Sequence, residues 1–491
     1  MDSSRHGSSE RARELAFLLT SWPSVTGSLG EAALPQRLVE RLSHFDKCWV
    51  AAIPDDPFGR SNVFALKRGK SNRTIALTGH FDTVPFDDYG ELADLALKPD
   101  ALNNAIIKKL KDSNSHPLAL SDLESGVFIP GRGLLDMKAG LAAGLAAMEA
   151  YDGEVSLLFI GVSDEEEKSA GARAAIPQLQ AVAAEHGLKI ALVINLDSIS
   201  DQGDGSKGRV VTYGSIGKQL LTAFVVGKQA HAGYPQDGAN AAYIMAELVR
   251  VLELAPDLSE TTGDEVAAPP STLFAKDLKQ GYNVTSPARA FAYWNTMQHR
   301  RSGAEVLDIA MKLAAEAVAE ASRKTGHDVT LRRYADMGKN GMAIDPRLSL
   351  PDQSLAAFNA FADERKIDTP TVTLGFGSIP YPAVLLRDEK LRALIEKAVA
   401  PFGLASVNYF AGISDMSFFG EAAGDLAVVA ANTPIWGTGF TMPEPGGYPC
   451  INIGPWGRDY HHWLERLHAP YAFETLPKVL LAVIAAVAKS G

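Results

Sequence analysis

Three apolar runs that alternate with helical segments constrain the fold of this chain most strongly. The runs TIALTGHFD, EVSLLFIGV and KIALVINLD have the character of buried strands. The Ala-rich segments GLLDMKAGLAAGLAAMEAY and AGARAAIPQLQAVAAEHG, which separate these runs, have the character of helices. Strands that alternate with helices form a parallel sheet with helices on both faces. We therefore predict an α/β fold with a mixed, mainly parallel sheet flanked by helices.

The pattern of predicted strands and helices changes near residue 209, and the alternating α/β pattern returns near residue 385. Between these points, segments such as RVVTYGSIGKQLLTAFVVGK are typical of antiparallel strand pairs, and two helical segments accompany them. This pattern predicts a discontinuous α/β domain that is interrupted by an inserted α+β domain. We assign residues 1–208 and 385–491 to the α/β domain and 209–335 to the insert, while 336–384 form a connecting segment without a clear pattern.

Net charge and cysteine usage restrict the partners and the compartment. The 491-residue chain has a formal net charge of −11, which disfavours nucleic acid and anionic membrane surfaces as partners. Two cysteines cannot build a disulfide framework or a thiolate metal site. The polar start MDSSRHGSSE has no apolar signal-peptide core, and the apolar run VLLAVIAAVA is too short to cross a bilayer. We expect a cytoplasmic protein that contacts neither nucleic acid nor membrane.

Acidic residues and histidines follow the predicted strands. Each of these motifs has a simple structural interpretation when it is taken alone, such as a helix N-cap or a solvated first turn. Ligands, however, bind beyond the carboxyl ends of the strands in an open α/β sheet, so these motifs should meet at one edge. The motifs are GHFD with His80 and Asp82, GRGLLDMK with Asp136, SDEEE with Asp164 to Glu167, INLD with Asp197, and the later DYHHWLE with His461, His462 and Glu465.

Carboxylates gathered at one edge repel one another by several kcal/mol per pair at an effective dielectric constant of about 20. Divalent cations remove this conflict. A mixed set of imidazole and carboxylate ligands suits Zn²⁺, Mn²⁺ or Co²⁺ better than Ca²⁺ or Mg²⁺. The sequence therefore predicts a metal site at this edge of the sheet.

Five motifs in register resemble those of a known family of metallohydrolases. GHFDTVP, GRGLLDMKAG, SDEEEKSAGA, KQAHAGYPQDGANA and GPWGRDYHHWLE are similar to the two-metal aminoacylase, succinyl-diaminopimelate desuccinylase and glutamate carboxypeptidase family. The resemblance covers residues from about 10 to 490, and the stretch YNVTSP…YWN further resembles the arginine-utilisation branch. It implies a zinc-exopeptidase-like catalytic domain and an inserted ferredoxin-like domain that serves as lid and dimer interface.

The resemblance also implies a role for each motif residue. His80 and Asp197 would bind one metal ion, Glu166 and His461 the other, and Asp136 both; His462 is the rival of His461. Asp82 would orient the ring of His80, Glu165 would act as general base, and His231 of the insert would stabilise the oxyanion from a partner subunit. These roles imply two divalent ions per chain, most simply Zn²⁺, and a homodimer. The implied residues are His80, Asp82, Asp136, Glu165, Glu166, Asp197, His231, Asn240 and His461.

One position departs from the family pattern. Many relatives carry an arginine on a lid strand that holds the substrate carboxylate, and here Asn295 occupies roughly that place. An amide cannot form the charged bidentate contact of an arginine, although we still expect Asn240 and Asn295 to contact substrate.

We predict a metal-dependent hydrolase that cleaves an amide bond of an N-acyl amino acid or dipeptide. The alternative is a non-catalytic metal-binding relative that acts as a binding or scaffold protein. A serine hydrolase is disfavoured because the sequence has no Gly-x-Ser-x-Gly elbow, and the Ser in GISDMS has no placed base.

Overall fold

The computed structural model describes residues 3–338, 344–345, 347–410, 412–424 and 426–490, with side chains from residue 7 onward. An eight-stranded sheet forms the centre of the larger part of the molecule. Its third to sixth strands are parallel, while antiparallel pairs occur among the first three strands and between the sixth and seventh, which confirms the predicted mixed, mainly parallel sheet. In spatial order the strands are Lys47–Ala52, Ser61–Lys67, Ser156–Val162, Arg73–His80, Lys189–Asn195, Cys450–Asn452, Val210–Thr212 and Ala405–Val407.

Helices cover both faces of this sheet, as the alternating pattern predicts. Strands that are covered on both faces read as nearly continuous apolar runs, and every residue of Ser156–Val162 is buried. One face carries the helices Ser3–Thr20, Leu29–Arg41, Ala139–Ala150, Glu389–Val399 and Leu476–Ala488. The other face carries Ala170–His186 and Met416–Phe419.

A five-stranded sheet with its own helices forms the inserted part. Two helices, Ala241–Leu252 and Gly303–Thr325, pack on one face of this sheet, and Leu350–Glu364 packs on the other. Its strands, in spatial order, are Ser271–Asp277, Arg289–Gln298, Gly217–Val226, Thr371–Phe376 and Thr330–Arg333.

The division between the two sheets does not coincide with the expected boundaries at residues 209, 335 and 385. Val210–Thr212 pairs with Ala405–Val407 and so belongs to the large sheet. Thr371–Phe376 pairs with Gly217–Val226 and so belongs to the inserted sheet. The segment 336–384, in which the sequence showed no clear pattern, supplies a helix and a strand. Its residues 339–343 and 346 lie outside the described ranges. Composition could not reveal these assignments because a strand's partner is decided by tertiary packing.

A small four-stranded sheet and a helical segment flank the predicted metal motifs. The sheet has the order Phe128–Pro130, Arg466–His468, Trp456–Arg458 and Ile199–Ser200. Two helices, Pro99–Ser113 and Pro117–Glu124, enclose an apolar cluster that includes Tyr89 and Leu464. The remaining short elements are Asp87–Leu95, Leu134–Lys138, Gly214–Ser215, Pro235–Asp237, Pro256–Leu258, Thr261–Thr262, Glu265–Val266, Tyr334–Met337, Val384–Leu385, Ala400–Phe402, Ala427–Ala431 and Pro470–Thr475.

The C-terminal helical segment is longer than the apolar run VLLAVIAAVA, from which we expected a helix too short to cross a bilayer. Pro470–Ala488 is helical over 19 residues and, by length and composition alone, could cross a membrane. Core helices pass the same test, and the side chains of Leu480, Val483 and Ile484 are fully buried in the main core. The segment therefore packs as a core helix of the large domain.

Candidate active site

The carboxyl ends of two central parallel strands bring His80 and Asp197 together, and Asp136 faces them from the segment Leu134–Lys138. His80 ends one strand, and Asp197 lies two residues beyond the neighbouring strand. The Nε2 atom of His80 lies 3.3 Å from Oδ1 of Asp136 and 3.8 Å from Oδ1 of Asp197. These three side chains are buried and form one group that could hold a metal ion.

Asp136 lies between two histidines. While its Oδ1 faces His80, its Oδ2 lies 3.1 Å from Nε2 of His461. The same His461 nitrogen lies 3.1 Å from Oε2 of Glu166, so Asp136, Glu166 and His461 form a second group that could hold a metal ion. A third group, His80 with Glu165 and Glu166, overlaps both. The five residues for which the resemblance implies metal binding thus face one shared volume.

Backbone contacts fix the position of Asp197. The side chain of Asn452, on the adjacent parallel strand, accepts a hydrogen bond from the Asp197 amide at 2.9 Å and donates one to its carbonyl at 2.9 Å. Gly454 packs directly on this carbonyl, because a Cβ atom there would lie 1.8 Å from the Asp197 oxygen. Only glycine permits such a close backbone approach, so the segment after Cys450–Asn452 holds the carboxylate at the sheet edge.

A buried ionic network anchors the acidic loop that begins at Asp164. Asp164 has a left-handed backbone, with φ of 66°, and its side chain pairs with the Arg60 guanidinium and accepts from the Ala170 amide. The carboxylate of Glu31 accepts from the Asp164 amide at 2.9 Å. Asp164 therefore has a structural role, which leaves its neighbours free to face the site.

The carboxylate of Asp82 orients this loop rather than only the ring of His80. Its oxygens accept hydrogen bonds from the amides of Glu165 and Glu166 at 3.2 and 3.3 Å and from the Thr26 hydroxyl at 2.8 Å. The Nδ1 atom of His80 lies 3.1 Å from the backbone oxygen of Asp82 and 3.6 Å from its carboxylate. Asp82 thus links the His80 strand to both glutamates.

Asp82→Asn should weaken metal binding by about 10- to 100-fold, the usual effect of losing a group that orients metal ligands. The new amide nitrogen would face the backbone N–H groups of Glu165 and Glu166, which need acceptors. Competition with a fluorescent chelator would measure the affinity, with Thr26→Val as the milder control because it removes one donor only. Unchanged affinity in Asp82→Asn would contradict the orienting role.

Of the two adjacent histidines, His461 faces the carboxylates. Nδ1 of His462 instead accepts a local hydrogen bond from the Leu464 amide at 3.2 Å. Glu465, four residues after His461, is buried and accepts from Nη1 of Arg132 at 2.9 Å. Arg132 belongs to the Gly-rich motif before Asp136, so this ion pair ties the two metal motifs together.

Burial and mutual repulsion shift the ionisation of the cluster. Burial raises the pKa of Glu165 and of Asp197 well above their ordinary values, and it raises that of Glu166. Burial opposes the charged form of His461, but Asp136 and Glu166 outweigh it and raise its pKa to about 10. Burial also opposes the anion of Asp136, whose pKa nevertheless stays below its ordinary value because His461 and His80 stabilise the charge. Without a metal ion, the cluster therefore holds protons tightly.

The metal-free protein should lose stability as pH rises from about 6 to 10. A raised pKa in the folded state gives stability at low pH that disappears as pH passes through the raised value, and Glu165, Glu166, Asp197 and His461 all act in this direction. Asp136, with its lowered pKa, loses its contribution only in acid. Thermal unfolding of chelator-treated protein across this range measures the effect, and metal-loaded protein is the control. A melting temperature that rises with pH in the chelated sample would refute the expectation.

A cavity of about 300 Å³ opens onto the cluster. Besides the predicted residues, its lining includes Lys218 and Tyr381, which no motif indicated, and Tyr460, which lies in the motif DYHHWLE without an assigned role. Asp415 lies two residues after Ile413 of the lining, and both of its carboxylate oxygens are buried. Burial raises the pKa of Asp415 to about 7, although His80 lowers it. Its position just before the buried helix Met416–Phe419 is the signal that could have revealed it.

Three predicted residues of the insert lie away from this cavity. The ring of His231 is exposed, and its Nδ1 accepts from the Gly233 amide at 3.1 Å. Asn240 caps the helix Ala241–Leu252 by accepting from the Ala242 amide. Asn295 lies in the strand Arg289–Gln298 opposite Leu220. The single chain therefore does not bring these side chains to the cluster, and their roles remain predictions.

The donor set fits divalent metal ions. Two imidazoles and three carboxylates supply the nitrogen and oxygen ligands that zinc, manganese and cobalt accept. Oδ1 of Asp136 is buried and has no hydrogen-bond donor among the described residues. A cation would satisfy this oxygen and offset the repulsion among the carboxylates.

Comparison with known proteins places the chain in a family. A profile described as Peptidase family M20/M25/M40 matches residues 76–439. The protein YqjN of Bacillus subtilis (strain 168) is 33% identical, over 97% of this chain and 97% of its own. Protein RocB of the same organism is 27% identical, over 96% and 94% of the two chains. Succinyl-diaminopimelate desuccinylase of Nitratiruptor is 27% identical over 58% of this chain and 67% of its own.

Solved structures share the fold. Aminopeptidase PepT from Bacillus cereus superposes with a TM-score of 0.60 at 16% identity, covering 98% of this chain and 99% of its own. The YXEP protein of Bacillus subtilis, described as a dinuclear metal binding peptidase from the M20 family, gives a TM-score of 0.54 at 12% identity over 98% of this chain and 99% of its own. With the profile match over most of its length, the chain belongs to peptidase family M20/M25/M40 and is a hydrolase of amide or peptide bonds.

Proposed function

We propose that this protein hydrolyses the amide bond of a small N-acylated amino acid or dipeptide with two divalent metal ions. The observation that carries the proposal is Asp136, whose two oxygens face His80 at 3.3 Å and His461 at 3.1 Å. A carboxylate between two imidazoles, each with a further acidic partner, is suited to join two metal ions. We take Zn²⁺ as the first choice, with Mn²⁺ and Co²⁺ as alternatives.

The proposed ligands follow the two geometric groups. His80 and Asp197 would hold one ion, Glu166 and His461 the other, and Asp136 both. When bound, two such ions lower the pKa of a shared water and polarise the substrate carbonyl. The protein holds the ligands by the contacts of Asp82, Asn452 and Arg132 described above.

Glu165 is the proposed general base. Its carboxylate lies 3.9 Å from Nε2 of His80, farther than Asp136, and it lines the cavity. A base that must take a proton from water and pass it to the leaving amine needs a pKa near the working pH. Burial favours this because it raises the pKa of Glu165.

His231 would act only after the insert moves or from a second subunit. In the family pattern that the sequence resembles, this histidine stabilises the oxyanion, and here its ring is exposed on the insert. A donor aimed at the oxyanion supplies several kcal/mol in the transition state, so closure would precede chemistry. We propose a homodimer formed through the insert. We also propose a cytoplasmic location, in keeping with two free cysteines.

A substrate panel tests the proposed function. The metal-loaded protein would be assayed with N-succinyl and N-acetyl amino acids, dipeptides, and amides derived from arginine and ornithine. The first group follows the similarity to succinyl-diaminopimelate desuccinylase, and the last follows the resemblance to the arginine-utilisation branch. We expect hydrolysis of at least one class that chelator abolishes and added metal restores. Hydrolysis that survives complete metal removal would contradict the proposal.

A further inference from the structure

The cavity beside the metal cluster is strongly acidic and has few positive groups. Its lining contains five carboxylates, from Asp136, Glu165, Glu166, Glu167 and Asp197. Among the described residues, the basic side chains in this lining are His461, which faces the proposed metal ligands, and Lys218. Lys218 is therefore the basic group of the cavity that the proposed metal site does not use.

Lys218 lies where the chain crosses from the large domain into the insert. It is the second residue of the strand Gly217–Val226, and Tyr381 lies opposite it on the returning crossing. The Lys218 amide donates to the Tyr381 carbonyl at 2.7 Å, and the Tyr381 amide donates to the Lys218 carbonyl at 2.9 Å.

The two crossings are packed closely on either side of this pair. Gly214–Ser215 pairs with Val384–Leu385, and a Cβ atom on Gly217 would lie 2.6 Å from the amide nitrogen of Ala383. The backbone of Lys218 is thus fixed at the mouth of the cavity.

The Lys218 ammonium has no hydrogen bond or ion pair with any residue that the structure describes, although the side chain is half-buried. Burial lowers its pKa, and Glu165 raises it. An ammonium that is partly removed from water is costly unless an anion accompanies it. Since metal ions would neutralise the carboxylates, a substrate anion is the natural partner for this group.

We propose that Lys218 binds a carboxylate of the substrate. The substrate class is then an N-acyl amino acid or dipeptide whose carboxylate is free, rather than a neutral amide. Lys218 would take over the role of the arginine that many relatives carry on the lid strand, where this chain has the uncharged Asn295. This inference rests on the proposed function, since it names the group that the same cavity recognises.

Tyr381 supports this assignment from the opposite crossing. Tyr381 belongs to the cavity lining, and its hydroxyl lies 3.2 Å from the Ser169 hydroxyl. Burial raises the pKa of Tyr381 above its ordinary value, so the phenol keeps its proton and can donate a hydrogen bond. An ammonium and a phenol that belong to one cavity lining suit an anionic group.

A pair of compounds that differ only in the carboxylate separates substrate binding by Lys218 from a general effect on catalysis or folding. N-acetyl-leucine carries a carboxylate, and N-acetyl-leucinamide is neutral at the same position. For Lys218→Met we expect kcat/KM for the acid to fall by about 10- to 100-fold, as loss of a hydrogen-bonded charge pair predicts, while the amide changes little. Lys218→Arg should recover part of the acid activity, and Lys276→Met, an exposed lysine on the same sheet, is the control. Equal loss with both substrates would overturn the proposal, because Lys218 would then act on Glu165 or on the fold.

Calorimetric binding of the same two compounds gives a readout that does not need hydrolysis. Metal-loaded wild-type protein should bind the acid more tightly than the amide, and Lys218→Met should abolish that preference. An equal affinity for acid and amide in the wild-type protein would overturn the anion site. Absence of hydrolysis across the substrate panel, with the binding preference intact, would instead contradict the proposed function alone.

Discussion

Replacing Glu165 with glutamine should lower kcat by about 10²- to 10⁴-fold, the contribution typical of a general base, while the protein keeps its metal ions. Glutamine preserves the shape of the side chain and removes its ability to accept a proton. Glu165 lies 3.9 Å from His80, whereas Asp136 and Glu166 make the contacts near 3 Å with the two histidines. The variant should therefore separate proton transfer from metal binding.

Elemental analysis and steady-state kinetics on the same preparation would measure both effects. Glu167→Gln is the matched control, because Glu167 is the adjacent exposed residue and pairs with Lys168 at the surface. Loss of metal together with activity in Glu165→Gln would make Glu165 a metal ligand, which the group formed by His80, Glu165 and Glu166 allows geometrically. An unchanged kcat would contradict its role as base.

Replacing Asp136 with alanine should remove both metal ions and reduce hydrolysis to the background rate. Asp136 belongs to the two candidate groups that together contain all five proposed ligands, one with His80 and Asp197 and one with Glu166 and His461. Loss of a shared ligand weakens both positions at once. Bound metal should fall from two ions to fewer than one per chain.

Asp197→Asn provides the graded comparison, because Asp197 belongs to one of those groups only. We expect this variant to bind the ion held by Glu166 and His461 more tightly than the ion held by His80, so that bound metal falls to about one ion per chain. Circular dichroism would show whether each variant remains folded. If Asp136→Ala retained two ions, the arrangement with a shared carboxylate would be wrong.

The part of the site that lies at strand ends could be predicted from the sequence. Buried runs that stop at a polar residue reveal where a strand ends, and parallel strands deliver their ends to one edge. His80, Glu165, Glu166 and Asp197 follow this logic, whereas Asp136 lies in the segment that opens the helix Ala139–Ala150, and the structure brings all five into overlapping groups. His461 came from motif resemblance, because the short strands around it have no distinctive period.

Other features depend on contacts that no local pattern records. The strand Thr371–Phe376 joins the inserted sheet although it lies in a segment with no clear pattern, because its partners are remote strands. Lys218 and Tyr381 meet only because the two chain crossings pair. In the motif GISDMS the sequence indicated only a serine, whereas the buried carboxylate of Asp415 is the feature that the structure reveals.

The positions of His231 and Asn240 show a different limit. Their motif predicts a role in catalysis, yet the single chain leaves His231 exposed and uses Asn240 as a helix cap. A residue that acts across a subunit interface or after closure cannot be placed by one chain in one state. Its role therefore stays a prediction that light scattering and a His231→Ala variant can address.

The central claim is that this cluster of histidines and carboxylates holds two divalent ions. Elemental analysis of the wild-type protein, purified gently and dialysed against metal-free buffer after loading with Zn²⁺, tests it most directly. We expect about two ions per chain, bound through His80, Asp136, Glu166, Asp197 and His461. Fewer than one ion per chain would contradict it.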